Sequence, residues 1–146
     1  MYYTIEGSSI HIKGNDFNIS QDKDPKSGDY FKDKDNMIDW AKQFITAITN
    51  VKNTSATVTE DTDISADKEF TVTVTLGEKL SLDATIGVVN DSTNESFGIT
   101  FVDGVGTSKV TIKDAGTYYI MLNDFVGTDT KYFVLHEKNE FPIVVK

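Results

Sequence analysis

The residues capable of catalysis or metal binding are few and scattered in this sequence. It contains two histidines, His11 and His136, and no cysteine. The absence of cysteine removes thiol catalysis, disulfides and cysteine-ligated zinc together, and it fits synthesis in a reducing compartment. The two histidines are far apart in the sequence, and an imidazole acts as a metal ligand or a base only beside suitable partners. We therefore interpret both as structural residues.

Motifs of nucleotide and acyl-transfer chemistry are also missing. The sequence has no G-x-S-x-G, P-loop or G-x-G-x-x-G motif. No helix is predicted after the glycines of "DGVGTS" (103–108), so we expect no phosphate site there. Carboxylates are abundant, as a glycosidase-like pair requires, but the strand-rich pattern described below predicts no cleft to hold one. We therefore predict that the protein is not an enzyme.

Two acidic segments resemble calcium loops only in part. Asp22, Asp24 and Asp33 occupy the first, third and twelfth positions of an EF-hand-like loop. A lysine, however, stands at the fifth ligand position and a serine at the required glycine. The run "EDTDISADKE" (60–69) is a second candidate for an ion between strands. Solvated loops are the favoured interpretation of both segments, so we expect no cofactor and keep Ca²⁺ only as an alternative.

Length and charge restrict the domain count and the partners. The chain has 146 residues, of which 38% are hydrophobic, enough for one domain or a small sandwich with an appendage. Its net charge of −9 argues against binding to nucleic acids or anionic membranes, because clustered Lys and Arg bind phosphates. The sequence has no run of about 18 apolar residues for membrane insertion and no signal-like start, so we expect synthesis in a bacterial cytoplasm without a signal peptide.

The predicted secondary structure changes near residue 50, from a hairpin, a loop and a helix to a series of strands. Between Tyr2 and Lys13, apolar residues alternate on both sides of "EGSS", which predicts a β-hairpin. The polar stretch 20–35, with Pro25 and Gly28, is predicted to be a loop.

A helix is predicted over "NMIDWAKQFITAITNV" (36–51), with Asp33 or Asn36 as its N-cap. A helix of this length is unstable alone, so it must pack on the hairpin, on the second region or on a partner. Its apolar stripe comprises Met37, Ala41, Phe44, Ile48 and Val51, with Ile38 and Ile45 beside it.

From residue 55 onward the apolar period is two. "EFTVTVTLG" (69–77) alternates strictly, and a series of short strands separated by turn residues is typical of an antiparallel sandwich. The further predicted strands are 56–60, 80–89, 97–102, 108–113, 117–123, 130–136 and 141–146. The predicted fold is therefore mainly β, with a hairpin and one helix over residues 1–53 followed by an immunoglobulin-like antiparallel β-sandwich over residues 54–146.

The immunoglobulin-like assignment depends on "DAGTYYI" (114–120). This stretch resembles the tyrosine corner in strand F of immunoglobulin-like domains, with Asp114 and Gly116 in the turn and Tyr118 bonding back to it. Ile120 stands where disulfide-forming members have their second cysteine, and the chain lacks their core tryptophan as well. Such domains without disulfides look like those of bacterial surface proteins and tailed-phage virions. The alternative is any antiparallel sandwich with a tight D-A-G turn.

A second resemblance lies upstream, in "DPKSGDYFKDKDNMIDWAKQFI" (24–45). This segment is similar to small tail-associated proteins of tailed phages, through Asp24, Pro25, Gly28, Phe31, Trp40 and Ala41. The two resemblances imply a virion structural or accessory protein, a capsid decoration or tail component, which leaves the host by lysis. Its expected partners are other virion proteins or further copies of itself. The predicted docking residues are Phe31, Met37, Trp40, Phe44 and Ile48.

Two alternative functions stay open. The first is a host-binding module in which the loops 90–95 and 124–129 contact a cell-surface glycan, with Tyr30, Phe31 and Phe125 as exposed aromatics. The second is a fragment of a bacterial surface adhesin. Four other aromatic residues are expected in the core: Phe97, Phe101, Tyr118 and Phe133.

Overall fold

Apolar alternation with period two dominates the chain, and the structure, a computed structural model, is accordingly mainly β. It describes residues 1–14, 18–126, 130–138 and 141–146, which contain a single α-helix, α1 (Lys34–Thr49). The strands in chain order are β1 (Tyr2–Glu6), β2 (Ser9–Lys13), β3 (Asn18–Gln21), β4 (Lys52–Asn53), β5 (Ala56–Glu60), β6 (Glu69–Leu76), β7 (Leu82–Val89), β8 (Asn94–Val102), β9 (Val105–Thr111), β10 (Gly116–Leu122), β11 (Phe125–Val126), β12 (Lys131–Phe133), β13 (His136–Glu137) and β14 (Pro142–Val145).

The predicted hairpin is part of a four-stranded sheet in the order β13-β1-β2-β3. β1 and β2 pair antiparallel around a turn in which Gly7 has a φ of 61°. β3 pairs antiparallel with β2 and was not predicted. The predicted loop therefore begins after Gln21 instead of at residue 20, because β3 is short and polar and carries no alternation for a sequence pattern to detect.

The helix α1 packs on this sheet with Met37, Ala41 and Ile45 buried beneath it. Its N-cap is Asp33, one of the two predicted residues, whose carboxylate accepts a hydrogen bond from the Asn36 N–H at 2.8 Å. The core between helix and sheet comprises Tyr3, Ile10, Ile12, Phe31, Met37, Ala41, Ile45, Phe133 and Leu135. The four-stranded sheet thus buries the apolar face of the helix, which an isolated helix would expose to solvent.

The second region forms the predicted antiparallel β-sandwich. Its strands follow one another in the order β14-β10-β7-β8-β9-β6-β5, and every neighbouring pair is antiparallel. In β6 the alternation predicted from the sequence is present, since Phe70, Val72, Val74 and Leu76 are buried. The glycines of "DGVGTS" belong to the tight β8–β9 hairpin, where Asp103 and Gly104 have positive φ and no helix follows.

Residues 131–137 connect the two cores. Phe133 and Leu135 pack in the core beneath the helix, whereas Val134 packs in the sandwich core. β13 pairs in parallel with β1, and β12 pairs in parallel with β4. The predicted strand 130–136 is thus two short strands, and the N-terminal module receives two core side chains from the far end of the chain.

The hydrogen bond expected of a tyrosine corner is present at the start of β10. The Tyr118 hydroxyl donates to the Asp114 backbone carbonyl at 3.0 Å, and the side chain is buried. Gly116 does not have a left-handed φ, and a Cβ there would lie 3.5 Å from the Tyr118 ring. The turn therefore depends on the tyrosine hydroxyl, while an alanine fits at Gly116.

Replacing Phe133 by alanine tests whether the two cores unfold together. We expect a loss of about 3–5 kcal/mol, the usual cost of truncating a buried phenylalanine, with one cooperative transition. Urea unfolding should be followed by fluorescence of Trp40, the only tryptophan, which reports on the core beneath the helix, and by hydrogen exchange of the amides in β6 to β10, which reports on the sandwich. If Phe133→Ala shifted the fluorescence midpoint and left the transition of the sandwich unchanged, the two cores would not unfold together. Val144→Ala, at an exposed position, is the control.

Tyr118→Phe should lower the free energy of unfolding by roughly 1 kcal/mol or somewhat more, because it removes one buried hydrogen bond and leaves the Asp114 carbonyl without its donor. Gly116→Ala should change stability by less than about 1 kcal/mol. Denaturant unfolding of both variants measures these effects. A neutral Tyr118→Phe would show that the hydroxyl contributes nothing to the corner.

Candidate functional site

A groove of about 490 Å³ lies between the helix and the outer strand of the N-terminal sheet. We call it the helix–strand groove. Its lining comprises Ile19 and Gln21 from β3, Pro25 and Lys26 from the following turn, and Trp40, Gln43, Phe44 and Ala47 from α1.

Secondary-structure geometry explains how these residues meet. The helix positions 40, 43, 44 and 47 lie on one face, because residues three and four apart are neighbours on a helix. Ile19 and Gln21 are paired with Ile12 and Ile10 across β2 and β3, so all four share one face of the sheet. Ile10 and Ile12 are fully buried, whereas Ile19 and Gln21 are half-buried. The helix therefore covers β2 and leaves the same face of β3 partly open.

Two stacked aromatic rings form the apolar part of the groove. The ring centroids of Trp40 and Phe44 are 5.1 Å apart, with an interplanar angle of 14°. The Trp40 ring also contacts the buried Phe31 at 5.7 Å. Phe31 fixes the indole from inside, while Trp40 and Phe44 are themselves only half-buried. The stack thus presents a rigid apolar surface to a ligand.

The turn that contributes Pro25 and Lys26 to the groove is held by its own hydrogen bonds. The Asp24 N–H donates to the Asp29 carbonyl at 2.9 Å, and Gly28 adopts a φ of 76°. The Asp24 carboxylate accepts from the Lys26 N–H at 2.9 Å, and Lys26 Nζ donates to Gln43 Oε1 at 3.1 Å. The ammonium group is therefore held beside the helix at Gln43.

The predicted docking residues separate into three groups. Trp40 and Phe44 line the groove, and Ile48 is 48% exposed but lies outside its lining. Phe31 and Met37 are only 7% and 4% exposed, so their prediction as contact residues is wrong, because the N-terminal sheet and the helix bury them.

The sequence interpretation missed the other residues of the lining. On the helix, Gln43 and Ala47 follow Trp40 at three and seven residues, a spacing that marks the same face and would have identified them. Ile19 and Gln21 gave no comparable signal, because β3 itself was not predicted.

The acidic loops bind backbone and lysine groups in the structure. Asp33 caps the helix, and the Asp61 carboxylate accepts from the Thr71 N–H at 2.6 Å. Asp63 pairs with Lys146 Nζ at 3.3 Å. Within the described ranges, no group of three or more His, Cys, Asp or Glu residues is arranged to hold a metal ion.

The two histidines lie in different environments. His11 is near the surface, with Nδ1 2.7 Å from Ser20 Oγ. His136 is buried, and its Nδ1 lies 2.8 Å from the Glu137 carbonyl. Its Nε2 has no hydrogen-bond partner among the residues that the structure describes. Burial lowers the pKa of His136, the carbonyl of Glu137 opposes this shift, and the positive N-terminal amine lowers the pKa further.

Of the three aromatic residues predicted to be exposed for glycan binding, two are buried. Tyr30 is 61% exposed, as expected, and Lys23 Nζ lies 5.0 Å from its ring centroid. The predicted exposure of Phe125 is wrong, because its ring packs edge-on against Phe101 in the sandwich core. Of the loop 124–129, residues 127–129 lie outside the described residues. The expected core aromatics Phe101, Tyr118 and Phe133 are buried, and Phe97 is half-buried.

No known protein family, curated protein or solved structure matches the chain. The described part of the chain has no helix with the length and apolarity needed to cross a membrane. The functional inference therefore depends on the geometry of the surface, and the helix–strand groove is singled out by the stacked aromatic rings of Trp40 and Phe44 in its lining.

His136 predicts an acid-sensitive fold. The folded pKa is below the unfolded one, so the unfolded chain binds the proton first, and stability is lost as the pH falls below the unfolded value. We expect the unfolding free energy of the natural chain to fall between about pH 7.5 and pH 5. His136→Gln should be less stable at the higher pH and lose less on acidification. Urea titrations at both pH values measure this, and parallel losses in the two chains would contradict it.

Proposed function

We propose that this chain is a non-enzymatic accessory component of a tailed-phage virion and acts through protein–protein contacts. Its N-terminal module would bind a capsid or tail protein at the helix–strand groove, and the sandwich would project outward or bridge neighbouring subunits. The observation that carries the proposal is the half-exposed Trp40–Phe44 stack, held from inside by Phe31. Such rigid aromatic anchors in a concave site are typical of contact surfaces that dominate binding.

The strand order supports the immunoglobulin-like part of the proposal. Counted from β5, the sandwich strands form one set in the order β5-β6-β9-β8 and another in the order β7-β10-β14. This is the A-B-E-D and C-F-G arrangement of immunoglobulin sandwiches, with an added pairing between β7 and β8. Tyr118 then lies at the start of the sixth strand, where the tyrosine corner of that fold occurs.

The virion part of the proposal is supported by the segment that resembles tail-associated proteins. Pro25 and Trp40 from this segment both line the groove, and Phe31 supports Trp40. The resemblance and the groove therefore involve the same residues.

A host-surface glycan is the second candidate ligand. An indole in a groove that also contains amide groups, here those of Gln21 and Gln43, is a surface on which a sugar ring can stack. A fragment of a bacterial adhesin would share the sandwich, and a reading frame that continues into an export signal would identify it.

Binding to purified virions from the source tests the proposal. The natural chain should sediment with the particles, and Ala47→Arg, which puts a long charged side chain into the groove, should weaken binding at least about tenfold. Val102→Arg makes the same change at a 65% exposed site in the sandwich and is the matched control. If the natural chain does not bind particles, the virion role is wrong. If both variants bind equally, the groove is not the contact surface, and capture on a glycan array would favour the second candidate.

A further inference from the structure

The outer strand beside the helix–strand groove has a free edge. β3 pairs with β2 on one side and has no strand partner on the other among the described residues. A free edge presents a row of unpaired N–H and C=O groups, which is a template for another strand. We propose that the groove accepts an extended, acidic segment of a partner protein, which adds to β3 as a fifth strand of the N-terminal sheet. This inference rests on the proposed function and specifies the partner's chemistry.

β3 differs from the other edge strands in lacking protection. Proteins usually protect sheet edges with charged residues, proline or very short strands. The other edges carry such features: Glu60 in β5, Pro142 in β14, Glu137 in β13, Lys52 in β4, and a length of only two residues in β11. β3 reads Asn-Ile-Ser-Gln, with neither a charge nor a proline. The residues of β3 therefore contain none of the charges or prolines that hinder the pairing of a further strand.

The groove lies where side chains of an added strand would point. Side chains alternate between the two faces of a strand, so every second residue of the new strand would share the face of Ile19 and Gln21. That face adjoins the Trp40–Phe44 stack. Main-chain hydrogen bonds to β3 would then provide part of the affinity, and an apolar side chain against the stack would provide specificity, as in other strand additions beside a groove.

Charge favours an acidic occupant. The net charge of the chain is −9, yet the groove lining contains no carboxylate and one ammonium group, that of Lys26. Its hydrogen bond to Gln43 Oε1 holds the ammonium group at the groove. A carboxylate near the end of the added strand would pair with it. A second copy is disfavoured as the occupant, because it would bring a further net charge of −9 to the contact, whereas a short segment brings only the few carboxylates that can pair with Lys26.

A synthetic peptide provides a direct test with the full chain. The probe alternates threonine and valine around a central phenylalanine, with glutamate at both ends. Binding is followed by fluorescence of Trp40 and by hydrogen exchange of the β3 amides. We expect a saturable fluorescence change and slower exchange over Asn18–Gln21. Affinity should fall at least about tenfold in Ala47→Arg and several-fold in Lys26→Glu, and it should be unchanged in Val102→Arg.

Backbone methylation separates strand addition from simple apolar contact. Two versions of the peptide carry N-methyl groups on alternate residues, one version on the odd positions and one on the even. In an added edge strand only one set of N–H groups faces β3, so one version should lose binding about tenfold or more and the other should retain it. Equal binding by both versions would overturn strand addition.

The remaining outcomes distinguish the two proposals. A chain that binds virions but ignores the peptide and shows no β3 protection refutes the strand addition and leaves the virion role intact. A chain that binds the peptide in the predicted manner but ignores virions refutes the virion role alone. Light scattering that shows a dimer dissociated by Ala47→Arg would make a second copy the occupant, and glycan capture lost in the same variant would make it a sugar. Either result overturns the inference.

Discussion

The segment 131–137 is apolar on both of its faces, because Phe133 and Leu135 pack beneath the helix while Val134 packs in the sandwich. Because neither face of this segment is turned to solvent, both cores must be present to cover it. The segment therefore sets the position of each core. The parallel pairing of β13 with β1 sets the edge of the N-terminal sheet, and the sheet in turn sets the position of the helix. The location of the groove therefore follows from this shared segment.

The groove itself results from a mismatch in width. A helix with side chains is about 10 Å across, which is close to the width of two strands spaced about 4.8 Å apart. The N-terminal sheet has four strands, and one helix covers its middle. The edge strand β13 has only two residues, whereas the edge at β3 leaves an apolar residue, Ile19, half-buried. The Trp40–Phe44 stack and Ile19 line the groove that forms at this uncovered edge.

Local features were well predicted from the sequence, and long-range ones were not. The alternation of β6, the helix, its cap at Asp33 and the bond from Tyr118 to the Asp114 carbonyl each depend on residues close together in sequence. The short strands β3, β4 and β11 were not predicted because their own residues carry no alternating pattern, and β4 in addition pairs with β12, far along the chain. Two of the docking residues were wrong for a related reason. The apolar face of the helix is wider than the part that contacts the sheet. The sequence alone does not determine which residues of this face contact the sheet and which are exposed. Phe125 was likewise assigned by its neighbours in a polar loop, whereas its contact with Phe101 buries it.

The pairing of β1 with β13 joins residues from opposite ends of the chain, Tyr2 with His136. During translation most domains fold in the order in which they leave the ribosome, starting from the N-terminus. Here the first hairpin and the helix emerge before the sandwich strands, but the side chains that complete their core, Phe133 and Leu135, are synthesised only after strands β5 to β10. The sandwich strands β5 to β10 can pair before that point, so the module made first is the one completed last. A nascent chain must therefore protect the incomplete apolar core of the helix and the hairpin from aggregation while the sandwich strands are being synthesised.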